Sequence, residues 1–227
     1  MRVAERLQAE APGPVEILHM ADWHPPLPAG VTATRLPASR AAAPVAAARV
    51  AQAAAVVVDT FPAGLFHELV HLPDDATWVA RHLEGYPGLE EAAARYRRIW
   101  LPYPPGRDPW EGQWAGACVG PLVRRLPMAD GPPHDLLVIG DPETLPGPWR
   151  ARLPADTRSL HRFVAALPAA RRVLALGAGH NLCWELAPLP IPVGHVPSHR
   201  RYDAPFARAL RFGRAILSRA DLEVFLG

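Results

Sequence analysis

Residues 173–186 read Val-Leu-Ala-Leu-Gly-Ala-Gly-His-Asn-Leu-Cys-Trp-Glu-Leu, an order that few folds accommodate. Val173 to Leu176 is an apolar run of strand length, Gly177-Ala178-Gly179 supplies a turn, and a helical segment follows at once. Such a strand–turn–helix unit aims free backbone N–H groups and the positive end of a helix dipole at one point, which suits a diphosphate. Glu185 lies six residues beyond Gly179, and a carboxylate near such a turn can grip the hydroxyl pair of a ribose. After a proline-rich turn the chain continues Arg200-Arg201-Tyr202-Asp203.

The rest of the chain repeats this alternation. Ala4 to Glu10 reads as a helix ended by Pro12-Gly13-Pro14, and Val15 to Met20 as a strand. Arg40 to Ala54 is an alanine-rich helix interrupted early by Pro44. Ala55 to Asp59 is a β-branched run expected to be a buried parallel strand. Strands are expected at 77–83 and 96–101, with a helix over 89–95 between them. A polar, proline-rich break at 102–113 precedes a strand at 117–123, and the domain boundary falls near Leu122. Beyond it come strands at 136–139, 173–176 and 192–196, and helices at 159–167 and 203–214, the last capped by Asp203. Between Gly140 and Ser159 there is little room for a full strand–helix unit. The expected class is α/β, with domains at 1–122 and 123–227.

Composition narrows the function. The formal charge is +2, all basic residues apart from histidine are arginine, and the Arg pairs at 124–125, 171–172 and 200–201 are dispersed. A nucleic-acid-tracking surface needs one basic face, so nucleic-acid binding is not expected. No apolar run approaches the roughly 20 residues that span a bilayer. The opening residues lack a signal-peptide pattern, and the two cysteines, Cys118 and Cys183, form no cluster. A cytoplasmic protein with free thiols is the expectation. The 28 prolines alternate with periodic segments and do not imply disorder.

The segment GAGHN…E…IP…VP…RRYDAPFARA resembles the carboxy-terminal half of bacterial glycosyltransferases with two facing Rossmann-like domains (GT-B type). In particular it resembles predicted transferases related to the lipid II-forming N-acetylglucosaminyltransferase. Val56-Val57-Val58-Asp59-Thr60-Phe61-Pro62, with Gly64 and Glu68-Leu69, is similar to an amino-terminal segment of that family. So are Val79-Ala80-Arg81 and Val119-Gly120-Pro121-Leu122. The resemblance covers roughly residues 55 to 215. It implies two Rossmann-like domains facing a cleft, a nucleotide-diphosphate sugar as donor substrate, an unidentified acceptor, and no metal or other cofactor. Gly177, Gly179, His180 and Asn181 would form the phosphate-facing turn, Glu185 would hold the donor ribose, and Asp203 would face the donor sugar.

Departures from the family pattern point to a second, non-catalytic reading: a relative that binds a nucleotide or a protein partner. Leu182 stands in place of a Thr, Pro190 in place of a Gly, and Ala204-Pro205 in place of Asp-Gln. The family also opens with a strand and a Gly-rich loop ending in His. Met1 aligns about where the following helix starts, so either the chain starts upstream or the first domain is remodelled without both, which leaves the catalytic residue unassigned and two strands without partners.

A third string, His67-Glu68-Leu69-Val70-His71, matches the H-E-x-x-H signature of zinc hydrolases. That chemistry needs a helix placing both imidazoles on one face, yet Pro62, Gly64 and Pro73 leave about two turns. The string reads as coincidence. Asp59 is expected to cap the turn into Phe61-Pro62. Trp100, Tyr103, Trp110 and Trp114 are read as packing residues rather than a sugar-stacking platform.

Overall fold

The computed structural model describes residues 2–10, 13–20, 27–107, 109–110, 112–123, 126–160, 166–200 and 202–227. By its internal contacts the chain forms two compact units, 1–122 and 123–227. Each is α/β, and every strand pair is parallel.

The first unit begins with α1 (Arg2–Glu10), β1 (Val15–His19) and β2 (Val31–Arg35). Ala4 packs on Val15 and Val31 in a small core. The strand β2 was not expected, although Val-Thr-Ala-Thr carries the β-branched alternation of a half-exposed strand. A 3-10 turn at Arg40–Ala42 leads into α2 (Ala43–Val50). Pro44 therefore lies in the helix's first turn, where its missing N–H is harmless, and starts the helix rather than interrupting it. There follow β3 (Val57–Asp59), β4 (Thr77–Val79), α3 (Leu89–Ala93), β5 (Arg98–Leu101) and β6 (Ala117–Cys118).

Strands β3 to β6 form a sheet in chain order, while among the described residues β1 and β2 pair only with each other. Central β4 is fully buried, with Trp78 and Val79 at 0% exposure. By contrast β3, expected to be buried, is an edge strand with Val57 half-buried and Asp59 exposed. Two strands are shorter than their apolar runs suggest. After Val79 the Arg81 N–H turns back to the Val79 carbonyl, and after Cys118 Gly120 takes a positive φ of 74°.

The second unit runs β7 (Leu136–Ile139), α4 (Gly147–Arg150), β8 (Thr157–Leu160), β9 (Val173–Leu176), α5 (His180–Leu186), β10 (Val193–Val196), α6 (Pro205–Phe212), β11 (Arg214–Ala215) and α7 (Arg219–Leu226). A helix was expected over 159–167. Instead Ser159 and Leu160 end β8, and Leu167 bridges to Met128, while 161–165 lie outside the described residues.

The sheet order is β11-β10-β9-β7-β8. Alternation along the strands separates two cores, as a sheet covered on both faces requires. Leu137, Val173 and Ala175 pack with Leu186 of α5 on one face. Leu136, Val138 and Leu174 pack with Leu222 and Phe225 of α7 on the other. The chain moves outward from β7 to β8, then crosses back to place β9 on the opposite side of β7. That reversal makes the unit doubly wound and Rossmann-like, and ligands of such sheets sit outside the strand carboxyl ends at the reversal.

Candidate functional site

The Gly177-Ala178-Gly179 turn leaves the carboxyl end of β9, the strand beside the reversal. Gly177 has φ 109°, a conformation open chiefly to glycine, which lets strand turn into helix within three residues. Across the reversal Gly140 follows β7 with φ 122°, and a Cβ there would stand 2.8 Å from Leu176 Cβ. Gly140 thus lets the end of β7 approach Leu176 at the end of β9 closely.

The amides of this turn divide unequally. The Gly177 N–H donates to the Val196 carbonyl at 2.7 Å, so it is spent inside the sheet rather than presented to a phosphate. This corrects the role expected for Gly177, which is conformational. The amides of Ala178 and Gly179 meet no acceptor among the described residues. Helix α5 has only seven residues, so its dipole contributes less than a full-length helix would. His180 begins α5 with its ring buried 6.4 Å from the Trp184 ring, and Asn181 is exposed.

Two arginines complete the turn, and motif reading assigned neither a role. The exposed Arg200 guanidinium lies over both glycines. Cβ atoms added to Gly177 and Gly179 would come within 3.4 and 3.3 Å of its nitrogens. Arg200 makes no ion pair among the described residues. Arg208, 5% exposed, reaches from α6 to donate Nη1 to the Ala178 carbonyl at 2.5 Å and Nη2 to Asp203 Oδ1 at 2.7 Å. Tyr202, just before Asp203, has φ 60°, a backbone state that a bulky residue rarely holds without support.

Asp203 was expected to cap α6, but the cap position is Ala204 and no side chain caps the helix. The Asp203 carboxylate is instead taken by Arg208 and by the Ala204 N–H at 2.9 Å. Asp203 thus sits beside the turn, tied to it through Arg208, while Arg201 lies outside the described residues.

Glu185 is 7% exposed and lines a groove of about 680 Å³ with Leu126, Pro127, Met128, Pro188, Leu189 and Pro190. The groove is apolar apart from this carboxylate. Pro190, in place of the family's glycine, forms part of its wall. Behind α5, Cys183 Sγ stands 3.9 Å from His195 Nδ1, and both are fully buried. Burial pushes the thiol up to about 12 and holds the imidazole below its ordinary range. Neither group is prepared for chemistry at neutral pH.

In the first unit, residues 67–71 form no helix, and His67 takes φ 57°. The two imidazoles therefore lack the shared helical face that zinc hydrolysis uses. Among the described residues no group of three or more His, Cys, Asp or Glu is placed to hold a metal. Glu68 is buried for a local reason: its Oε2 accepts the Phe66 N–H at 2.8 Å against Gly64. Asp59 does not cap the next turn; its carboxylate takes a two-pronged grip from Arg81 at 2.5 and 2.9 Å. The aromatics are packing groups, with Trp78, Trp110 and Trp114 in mutual contact and Trp110 Nε1 bonded to the Ala80 carbonyl.

Among the described residues no helix is long and apolar enough to cross a membrane. The chain matches no protein-family model, no curated protein and no solved structure.

Proposed function

We propose that this protein binds a nucleoside-diphosphate sugar through its second unit and acts as a glycosyltransferase of the GT-B type. The observation that carries the reading is the glycine turn at the carboxyl end of β9. Among the described residues its Ala178 and Gly179 amides meet no acceptor and the Arg200 guanidinium over it makes no ion pair, while farther along the same segment α5 carries the buried Glu185 in an apolar groove. That segment begins at the reversal of a doubly wound sheet, where such sheets take nucleotides.

In this reading the Ala178 and Gly179 amides and Arg200 receive the diphosphate and stabilise its charge as it leaves the sugar. Glu185 takes the ribose hydroxyls, and Leu126, Met128 and Leu189 give the base a dry wall. Asp203 faces the sugar. The first unit carries the acceptor, and its base is unassigned. The donor serves as substrate, and the scheme needs no metal.

A panel of uridine, thymidine and guanosine diphosphate sugars in a thermal-shift assay tests the donor site. A donor at 100 times its Kd stabilises the fold by about 2.7 kcal/mol, enough for a clear rise in Tm. One member should shift the wild type, and Arg200→Gln should reduce that shift. No shift with any donor overturns the reading.

A non-catalytic nucleotide binder is favoured by one observation: Ala204-Pro205 puts no side-chain hydrogen-bond donor at the start of α6, beside the expected sugar position. A binder of this kind shifts with the donor yet neither transfers nor hydrolyses the sugar.

A further inference from the structure

The peptide joining Ala178 to Gly179 is trans, as are all peptide bonds described here. In a trans peptide the carbonyl and the following N–H point in opposite directions. Arg208 Nη1 holds the Ala178 carbonyl from within the fold, where the guanidinium is 5% exposed. The Gly179 N–H is thereby turned away from that buried guanidinium, and it meets no acceptor among the described residues. The same guanidinium fixes Asp203 through Nη2. One buried cation thus sets the direction of a turn donor and the place of a carboxylate from a different segment.

We infer that Arg208 is the positioning residue of the donor site, acting through the Ala178 carbonyl and Asp203 without touching the donor. The inference rests on the diphosphate reading of the turn. Its physical basis is the cost of a buried guanidinium, which is met only when its hydrogen bonds are made with good geometry. Lysine keeps the charge but lacks the planar fork, so it cannot hold both acceptors at their present angles. The free energy of the fork is spent on orientation, and its loss appears first as a wandering amide.

The wild type gives the first test, without any variant. In amide hydrogen exchange the Gly177 N–H, bonded to Val196, should be protected, and the Gly179 N–H should exchange at close to the rate of an unstructured peptide. Equal protection of the two amides overturns the inference. The second test uses Arg208→Lys and Arg208→Met in the full chain. Their Gly179 amide resonance should shift or split while strands β7 and β9 keep their wild-type spectra. Affinity for inorganic pyrophosphate should fall at least tenfold, more in Met than in Lys. A folded variant with an unchanged Gly179 resonance and unchanged pyrophosphate affinity overturns the inference. If the wild type fails to bind pyrophosphate while Gly179 responds to both substitutions, the diphosphate reading falls and Arg208's control of the turn is supported.

Discussion

At the residue scale, Glu185 shows how one side chain joins a motif to an environment. Its place on α5 comes from the strand–turn–helix order, but its surroundings, an apolar groove in which it is 7% exposed, come from the tertiary structure. Hydrogen bonds to a charged group are worth about 1.5–3 kcal/mol, so Glu185→Gln should weaken donor binding by roughly tenfold or more. Isothermal titration with the donor identified in the panel measures this, and equal affinity removes Glu185 from the site. The two cysteines give a sharper contrast. Cys118 is exposed, whereas burial raises the Cys183 thiol to about 12. Iodoacetamide should label Cys118 alone in the native protein and both after denaturation, as read by mass spectrometry. His195 links site architecture to pH. Burial holds its pKa below the ordinary 6.5 in the folded state. Once pH falls below about 6.5 the unfolded chain binds a proton that the folded chain refuses, so stability declines toward acid until the folded pKa is passed. Urea midpoints measured from about pH 8 to pH 5 should fall more steeply in wild type than in His195→Gln. Parallel slopes would contradict this.

At the element scale, α7 is held by hydrogen bonds at both ends, local at the first and long-range at the second. Ser218 and Asp221 form a reciprocal capping box, with Asp221 Oδ2 accepting from the Ser218 N–H at 2.9 Å. At the other end Arg172 donates to the Phe225, Leu226 and Gly227 carbonyls. Ser218→Ala should cost about 1 kcal/mol by urea denaturation. A loss below about 0.3 kcal/mol would mean that Leu222 and Phe225 alone hold the helix. Helix α6 is built differently. Pro205 in its first turn presets the backbone, and its missing side-chain cap leaves Asp203 available to Arg208.

At the scale of the molecule, the two units hold their sheets together unequally. The second has one five-stranded parallel sheet with a core on each face. In the first, β1 and β2 form a separate pair, and β3 is an apolar edge strand beside β4. Amides of β7, β9 and β10 should therefore outlast those of β1 and β2 in native-state hydrogen exchange by orders of magnitude. Comparable protection in both sets would show that the first unit is held by more than its own pairing.

Much of this was legible in the residues, because strand, turn and helix signals are local. Val173–Leu176 with Gly177 and Gly179 announced the β9–α5 unit. The misreadings share a cause. Asp203 as a cap, Asp59 as a cap and Gly177 as a phosphate donor are sound local expectations, each overruled by a partner the motif does not contain: Arg208 on α6, Arg81 after β4, Val196 on β10. Ser159-Leu160 became strand because pairing with Val138 and Ile139 outweighed helical periodicity. The sequence by itself determined the α/β class and the strand–turn–helix order of β9 and α5, since hydrophobic period and turn chemistry act over a few residues. Only the tertiary structure decided which hydrogen-bonding groups remain for a ligand, because a donor is left over only after the sheet and the buried arginines have taken theirs.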